Sequence, residues 1–187
     1  MVSERSTFLS QLRHIDPYRM MREGREIAGA ISIASLTRLS PLLAETEGEA
    51  FSEAIFSRDE IKRCIISVKI KTSLVLTCQR CLANYRFDID RSFQVSAVED
   101  TDIHDEESLP DDYEPILVEN GFINLLDTIE DELLLSLPLV AMHEDIADCV
   151  EQGYRTKSEA LDLQLEKDEQ APVNPFRVLK KPVDDEK

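Results

Sequence analysis

Residues 64–98 read CIISVKIKTSLVLTCQRCLANYRFDIDRSFQVSAV, and their pattern decides the fold. Ile66, Val68 and Ile70 alternate with Ser67, Lys69 and Lys71. In an extended chain successive side chains point to opposite faces, so this period of two predicts a strand with one apolar face. Leu74–Thr77 continues it. After Cys78-Gln79-Arg80-Cys81, Tyr85, Phe87 and Ile89 alternate with Arg86, Asp88 and Asp90, and Phe93, Val95 and Ala97 extend the run. Two alternating segments around a four-residue turn predict an antiparallel hairpin, Cys64–Thr77 with Tyr85–Val98.

Outward from the hairpin the signals are shorter. Glu26–Ile33 and Ala50–Phe56 can each be a strand, and Tyr113–Val118 a short edge strand, since Pro115 lacks the amide an interior position needs. Leu36, Leu39 and Leu43 have helical spacing, which Pro41 opposes. The clearest helix is Asn124–Leu137. Asn124 is an N-cap, Asp127 follows three residues later, and Pro138 stops the helix. Leu125, Leu126, Ile129, Leu133, Leu134 and Leu137 share one face, with Asp127, Glu130 and Asp131 on the other. The expected class is α+β: an antiparallel sheet packed on one amphipathic helix, with flexible termini. Residues 1–25 read as a flexible lead, 26–150 as one domain, and 151–187 as a polar linker ending in the short apolar segment Asn174–Leu179. Asp100–Asp112 is an acidic loop.

The 187 residues are 42% hydrophobic and 6% aromatic, with no tryptophan, so one modest core must rest on Leu, Ile and Val. No apolar run reaches the roughly 18 residues of a membrane span, and Met1–Ser10 has no signal-peptide core. A soluble, cytoplasmic protein with no membrane partner is expected. The net charge of −17 is unevenly spread. Residues 1–91 hold 14 Lys/Arg and 12 Asp/Glu, whereas residues 92–154 hold 18 Asp/Glu and no Lys or Arg. Such a block repels an RNA backbone, whose affinity comes largely from Lys and Arg, and attracts a basic protein. It also simply keeps a protein soluble.

The Cys78–Cys81 pair is the most specific motif. Two thiolates three residues apart in a tight turn can chelate one metal ion, and structural zinc then needs two more donors. His143 and Cys149 are the candidates, with His104 a weaker substitute. The other readings are a redox dithiol, which favours a helix N-terminus rather than a turn between strands, and two ordinary cysteines. Cys64, inside a strand, reads as a small core residue. No catalytic constellation or glycine-rich phosphate loop is present, so the chain reads as a non-enzyme. Asp127, Glu130 and Asp131 are candidate docking residues for a basic partner, against the plainer reading of a solvated helix face. Lys69, Lys71, Arg80 and Arg86 form a candidate RNA patch. Tyr85 and Phe87 interleave with Arg86 there, an arrangement that stacks bases in some proteins and is core in others.

The run Leu76-Thr77-Cys78-Gln79-Arg80-Cys81-Leu82 resembles the C-x-R-C-L signature of the YceD family, the large ribosomal RNA subunit accumulation proteins. Leu109-Pro110-Asp111-Asp112-Tyr113-Glu114-Pro115, then Asn124-Leu125-Leu126 and Glu130–Pro138, is similar to the family's acidic helix ending in Leu-Pro. His143 and Cys149 follow, and Val173–Leu179 resembles its closing Asn-Pro-Phe segment. The resemblance spans roughly residues 24–180. It implies a role in synthesis, processing or stability of 23S ribosomal RNA. The expected partners are a ribosomal precursor particle, a basic ribosomal protein or assembly factor, and 23S RNA itself, with zinc as the candidate cofactor. The rivals from other classes are a ribonuclease or other hydrolase acting on precursor RNA, and a dithiol redox protein.

Overall fold

The computed structural model describes residues 8–99 and 113–155. The chain divides into two compact units, residues 1–143 and 144–187.

The first unit is built on a five-stranded sheet in the order β1(Glu26–Ser32), β2(Glu49–Arg58), β3(Cys64–Thr77), β4(Asn84–Glu99), β5(Glu114–Val118). The first four strands are antiparallel neighbours, and β5 joins β4 in parallel. The expected α+β class and the hairpin about the Cys78–Cys81 turn are both present. Pro115 lies on the edge strand β5, where a missing amide costs no ladder hydrogen bond.

Register carries the alternation into a layered core. Val68 lies opposite Phe93, Leu74 opposite Phe87 and Leu76 opposite Tyr85, so the apolar residues of the two strands share a face. Lys69, Lys71, Arg86, Asp88 and Asp90 fall on the other face. The apolar face continues through Ala50, Ala54 and Phe56 of β2 and Ile27 and Ile31 of β1. Helix α2(Leu125–Ser136) supplies Leu125, Leu126, Ile129 and Leu133 to the same core, with Leu134 and Leu137 half-buried against it. Asn124 caps the helix by accepting the Asp127 N–H.

Three segments differ from expectation. Residues 33–42 form two 3-10 turns, Ile33–Ser35 and Ser40–Leu42, rather than a helix. Pro41 fits the second turn, and Leu36 and Leu39 still reach the core. Residues 8–25, read as part of a flexible lead, are built into the unit. Residues 8–12 are helical, and Leu12 and Ile15 are fully buried. Helix α1(Pro17–Glu23) is capped by Asp16 and ended by Gly24 in the left-handed region. A Cβ on Gly29 would lie 2.8 Å from the Phe8 ring, so that ring packs directly on β1.

The third difference is Glu130, expected on the outer helix face. It is only 4% exposed. Its Oε1 accepts the backbone N–H groups of Arg38 at 2.7 Å and Leu39 at 3.0 Å, and its Oε2 accepts the Arg38 guanidinium at 3.3 Å. Arg38 also donates to Asp131 and to the Asp127 carbonyl. A buried carboxylate persists only when paired and hydrogen-bonded, and this one ties the 33–42 segment to α2.

The second unit contains helix α3(Ile146–Glu151), capped by Asp145, which accepts the Ala147 N–H at 2.9 Å. Among the described residues no helix is long and apolar enough to cross a membrane. The acidic loop 100–112, His104 and the closing Asn174–Leu179 segment lie outside the described residues.

Candidate metal centre

The β3–β4 pairing ends at Thr77 and Asn84, and the six residues between them form a tight knuckle. The Cys78 N–H donates to the Ala83 carbonyl at 2.9 Å, and the Leu82 N–H to the Cys78 carbonyl at 2.8 Å. Leu82 takes φ 64, the left-handed region that glycine occupies most easily, and its side chain is 77% exposed. The chain beyond α2 returns to this knuckle. The Gln79 N–H donates to the Ala141 carbonyl at 2.7 Å, and the Arg80 guanidinium lies 3.6 Å from the Met142 sulfur.

That return places His143 against the cysteines. Its Nδ1 is 3.4 Å from the Cys81 Sγ, and its ring lies 5.0 Å from the Tyr85 ring. The donor atoms of Cys78, Cys81 and His143 all lie within 4.8 Å of one another. Tetrahedral zinc, with Zn–S near 2.3 Å, sets neighbouring sulfurs about 3.8 Å apart, so a small contraction would seat an ion. The donor set, two thiols and an imidazole, is one zinc prefers. The ordinary hairpin backbone thus aims both sulfurs inward, and residues 141–143 bring a nitrogen to them.

The electrostatics favour a ligating sulfur. Burial disfavours a charged Cys78, but the backbone N–H groups of Cys81, His143 and Arg80 and the His143 side chain outweigh it, and the thiol is lowered to about 5. The Arg80 N–H to Cys78 Sγ distance is 3.4 Å. Cys64 behaves oppositely. It is buried in the core, its thiol donates to the Pro17 carbonyl at 3.4 Å, and burial pushes it up to about 11. It is the core residue its position suggested. Cys149 lies on α3 in the second unit, where its carbonyl accepts the Gln152 and Tyr154 N–H groups. None of the four cysteines forms a disulfide.

The other candidate residues are more dispersed. Lys69, Lys71 and Arg86 are exposed on the outer face of the hairpin, and Arg80 sits in the knuckle. Lys71 is paired with Asp90 at 2.7 Å, and Asp88 interrupts the patch. Tyr85 and Phe87 point to the opposite face, Phe87 against the core and Tyr85 toward His143, so no aromatic–basic stack exists on this patch. On α2 the expected acidic trio is broken up. Asp127 is exposed, Asp131 is paired with Arg38, and Glu130 is buried. Glu132 is paired with Arg91 at 3.1 Å. The role of Arg38 is not expected from the sequence; its one signal is that it is the only charged residue between Glu26 and Glu45.

Similarity to known proteins agrees with this chain's motifs. Residues 66–181 match the sequence model of a family described as "Large ribosomal RNA subunit accumulation protein YceD". A protein of that same description from Haemophilus influenzae (strain ATCC 51907 / DSM 11121 / KW20 / Rd) is 34% identical over 130 residues, covering 69% of this chain and 74% of the relative. No solved structure matches the chain. With the family match spanning the knuckle, α2 and the residues that follow it, the chain belongs to the YceD family of large ribosomal RNA subunit accumulation proteins.

Proposed function

We propose that this protein is a non-catalytic factor supporting the accumulation of 23S ribosomal RNA. The observation that carries this is the family match over residues 66–181, which takes in the described residues of the proposed site. A factor of this kind needs a fixed surface rather than a reaction centre. The layered core and the knuckle pinned by residues 141–143 supply one.

Zinc is the proposed cofactor, with Cys78, Cys81 and His143 as ligands and Cys149 as the fourth. Cys149 follows His143 by only six residues, a tether short enough to bring a fourth donor to the ion. Bound there, zinc would contribute stability and shape by cross-linking the knuckle to the chain beyond α2, with no open position for a substrate. The protein's own share is the low-lying Cys78 thiol, which is ready to ligate at neutral pH. The proposed partner is a basic ribosomal protein or assembly factor on the large-subunit precursor. It is drawn by the acidic stretch 92–154, with Asp127 an exposed member. Work on a ribosomal precursor sets the protein in the cytoplasm.

Two measurements test this. In a gradient of cell extract the protein should travel with large-subunit precursor particles and not with small-subunit ones. Incubated with precursor 23S RNA and zinc, it should leave RNA length unchanged. Cleavage abolished by a single carboxylate substitution would replace the factor with a ribonuclease.

A further inference from the structure

A second feature lies away from the metal centre. His14 and Phe122 stack face to face, with ring centroids 3.6 Å apart and planes 18° from parallel. Neighbouring backbone holds them there. Ile15 and Ile123 form a two-way bridge, each N–H donating to the other's carbonyl at 3.2 and 2.8 Å, and both side chains are buried. The adjacent pair, His14 and Phe122, is thereby fixed at the surface. Phe122 is held from its other side by a tight Asn120-Gly121 hairpin turn, both residues at positive φ, closed by hydrogen bonds between Glu119 and Phe122. The stack is therefore a rigid platform with an exposed histidine on top.

Two hollows flank it. The larger, about 470 Å³, is lined by Arg13, His14, Phe122, Asn120, Glu119 and Asp127 among others. The smaller, about 270 Å³, is lined by His14, Phe122, Asp16, Arg19, Glu23 and Arg25 among others. Glu23 bridges Arg19 and Arg25 at 3.0 Å each, which holds both guanidiniums in place. Each keeps further N–H donors for an oxygen anion. Arg13 and Arg22 are exposed and make no ion pair among the described residues.

We infer that the His14–Phe122 platform, with Arg13, Arg19 and Arg25 around it and Asn120 beside it, binds an unpaired nucleotide of single-stranded RNA. A base stacks on the His14 ring, since every base has an apolar face that aromatic side chains accept. Its edge meets the Asn120 amide, which is both donor and acceptor. The phosphates run on the Arg19–Arg25 side, where two guanidiniums face Asp16 and Glu23, because the larger hollow sets Glu119 and Asp127 against Arg13 alone. The proposal rests on the ribosomal RNA reading above and adds to it a site on a different surface from Lys69, Lys71 and Arg86. It also offers a route by which a chain of net charge −17 touches RNA: the arginines of the site lie in the N-terminal part, while Asn120 and Phe122 come from the acidic stretch 92–154.

The test is fluorescence anisotropy of a labelled 12-nucleotide single-stranded RNA with the full-length protein at low salt. Controls are the same sequence as a duplex and competition by a mononucleotide. His14 is exposed, so His14→Ala leaves the fold intact and should weaken binding roughly fivefold or more, the scale of one lost base stack. His14→Tyr, which keeps the stack, should bind within about twofold of the parent. Arg19→Ala with Arg25→Ala should weaken binding and flatten its salt dependence, while Lys69→Ala with Arg86→Ala should not. The duplex and the mononucleotide should bind far more weakly. Equal binding by His14→Ala and the parent would overturn the site while leaving RNA contact elsewhere intact. No RNA binding by the parent up to about 100 µM, with co-sedimentation on precursor particles preserved, would overturn the site and leave the 23S role standing. A mononucleotide competing as well as the oligonucleotide would also overturn it.

Discussion

Removing the Glu130 carboxylate tests whether this residue is structural rather than a docking charge. Glu130→Ala leaves the Leu39 amide buried without an acceptor and takes the acceptor from the Arg38 amide. Hydrogen bonds to a charged group contribute about 1.5–3 kcal/mol each, and the two amide bonds lost set the scale. The ion-pair arm adds little, because the Arg38 side chain is 46% exposed and screened. The expected loss is therefore about 3–5 kcal/mol, out of the roughly 5–15 kcal/mol a domain holds. At about 2–4 °C per kcal/mol, the melting temperature should fall by about 6–20 °C. Glu130→Gln keeps one oxygen for the two amides but sets its NH2 toward the Arg38 guanidinium, so it should fall between parent and alanine variant. Urea unfolding of the three proteins gives the comparison. A Glu130→Ala protein within about 0.5 kcal/mol of the parent would refute the clamp and return Glu130 to the surface.

Other outcomes follow from the same packing. Leu133→Ala should cost about 2–5 kcal/mol, Leu134→Ala less, and Leu135→Ala, on a largely exposed side chain, under about 0.5 kcal/mol; the reverse order in urea unfolding would misplace the helix face. Leu82→Gly should stabilise by about 0.5–1 kcal/mol, since a left-handed non-glycine residue costs more than glycine's extra chain entropy, and a lowered melting temperature would contradict the knuckle geometry. The Cys78 thiol has a folded pKa near 5, below its ordinary value of 9.0. The unfolded chain therefore binds more protons between those limits, and metal-stripped protein should gain stability as pH rises from 5 toward 9 and lose it as pH falls. Cys78→Ser should flatten that dependence in a pH series of urea midpoints; an unchanged slope would remove the stabilised thiolate. Elemental analysis of reduced native protein should find about one zinc per chain, lost in Cys81→Ser.

Much of the fold was legible because the hairpin and α2 each keep one period over many residues. Cys64–Thr77 was bounded as the structure has it, and Asn124 announced its cap. Short segments whose order comes from contacts distant in sequence were not legible. Leu12 and Ile15 are two apolar residues in a polar lead, and nothing local shows that Ile15 bridges Ile123. Asn120-Gly121 did carry a hairpin signal, and it would have marked Phe122 as a fixed surface residue. Glu130 has helical spacing with Asp127 and Asp131, so periodicity alone put it outside; only Arg38, 92 residues earlier, draws it in. At the candidate site the sequence paired Cys78 with Cys81 and named His143. The hydrogen bond from Gln79 to Ala141 that brings His143 to them is a tertiary contact no spacing reveals. The interleaving of Tyr85 and Phe87 with Arg86 is a property of the strand period: Phe87 packs on the core and Tyr85 faces His143.

The most direct test of the central claim is the ratio of 23S to 16S ribosomal RNA in cells depleted of this protein and then supplied with it from a plasmid. Depletion should lower 23S while 16S holds, and the parent protein should restore the ratio, whereas Cys78→Ser with Cys81→Ser should not. An unchanged 23S to 16S ratio on complete depletion would contradict the account.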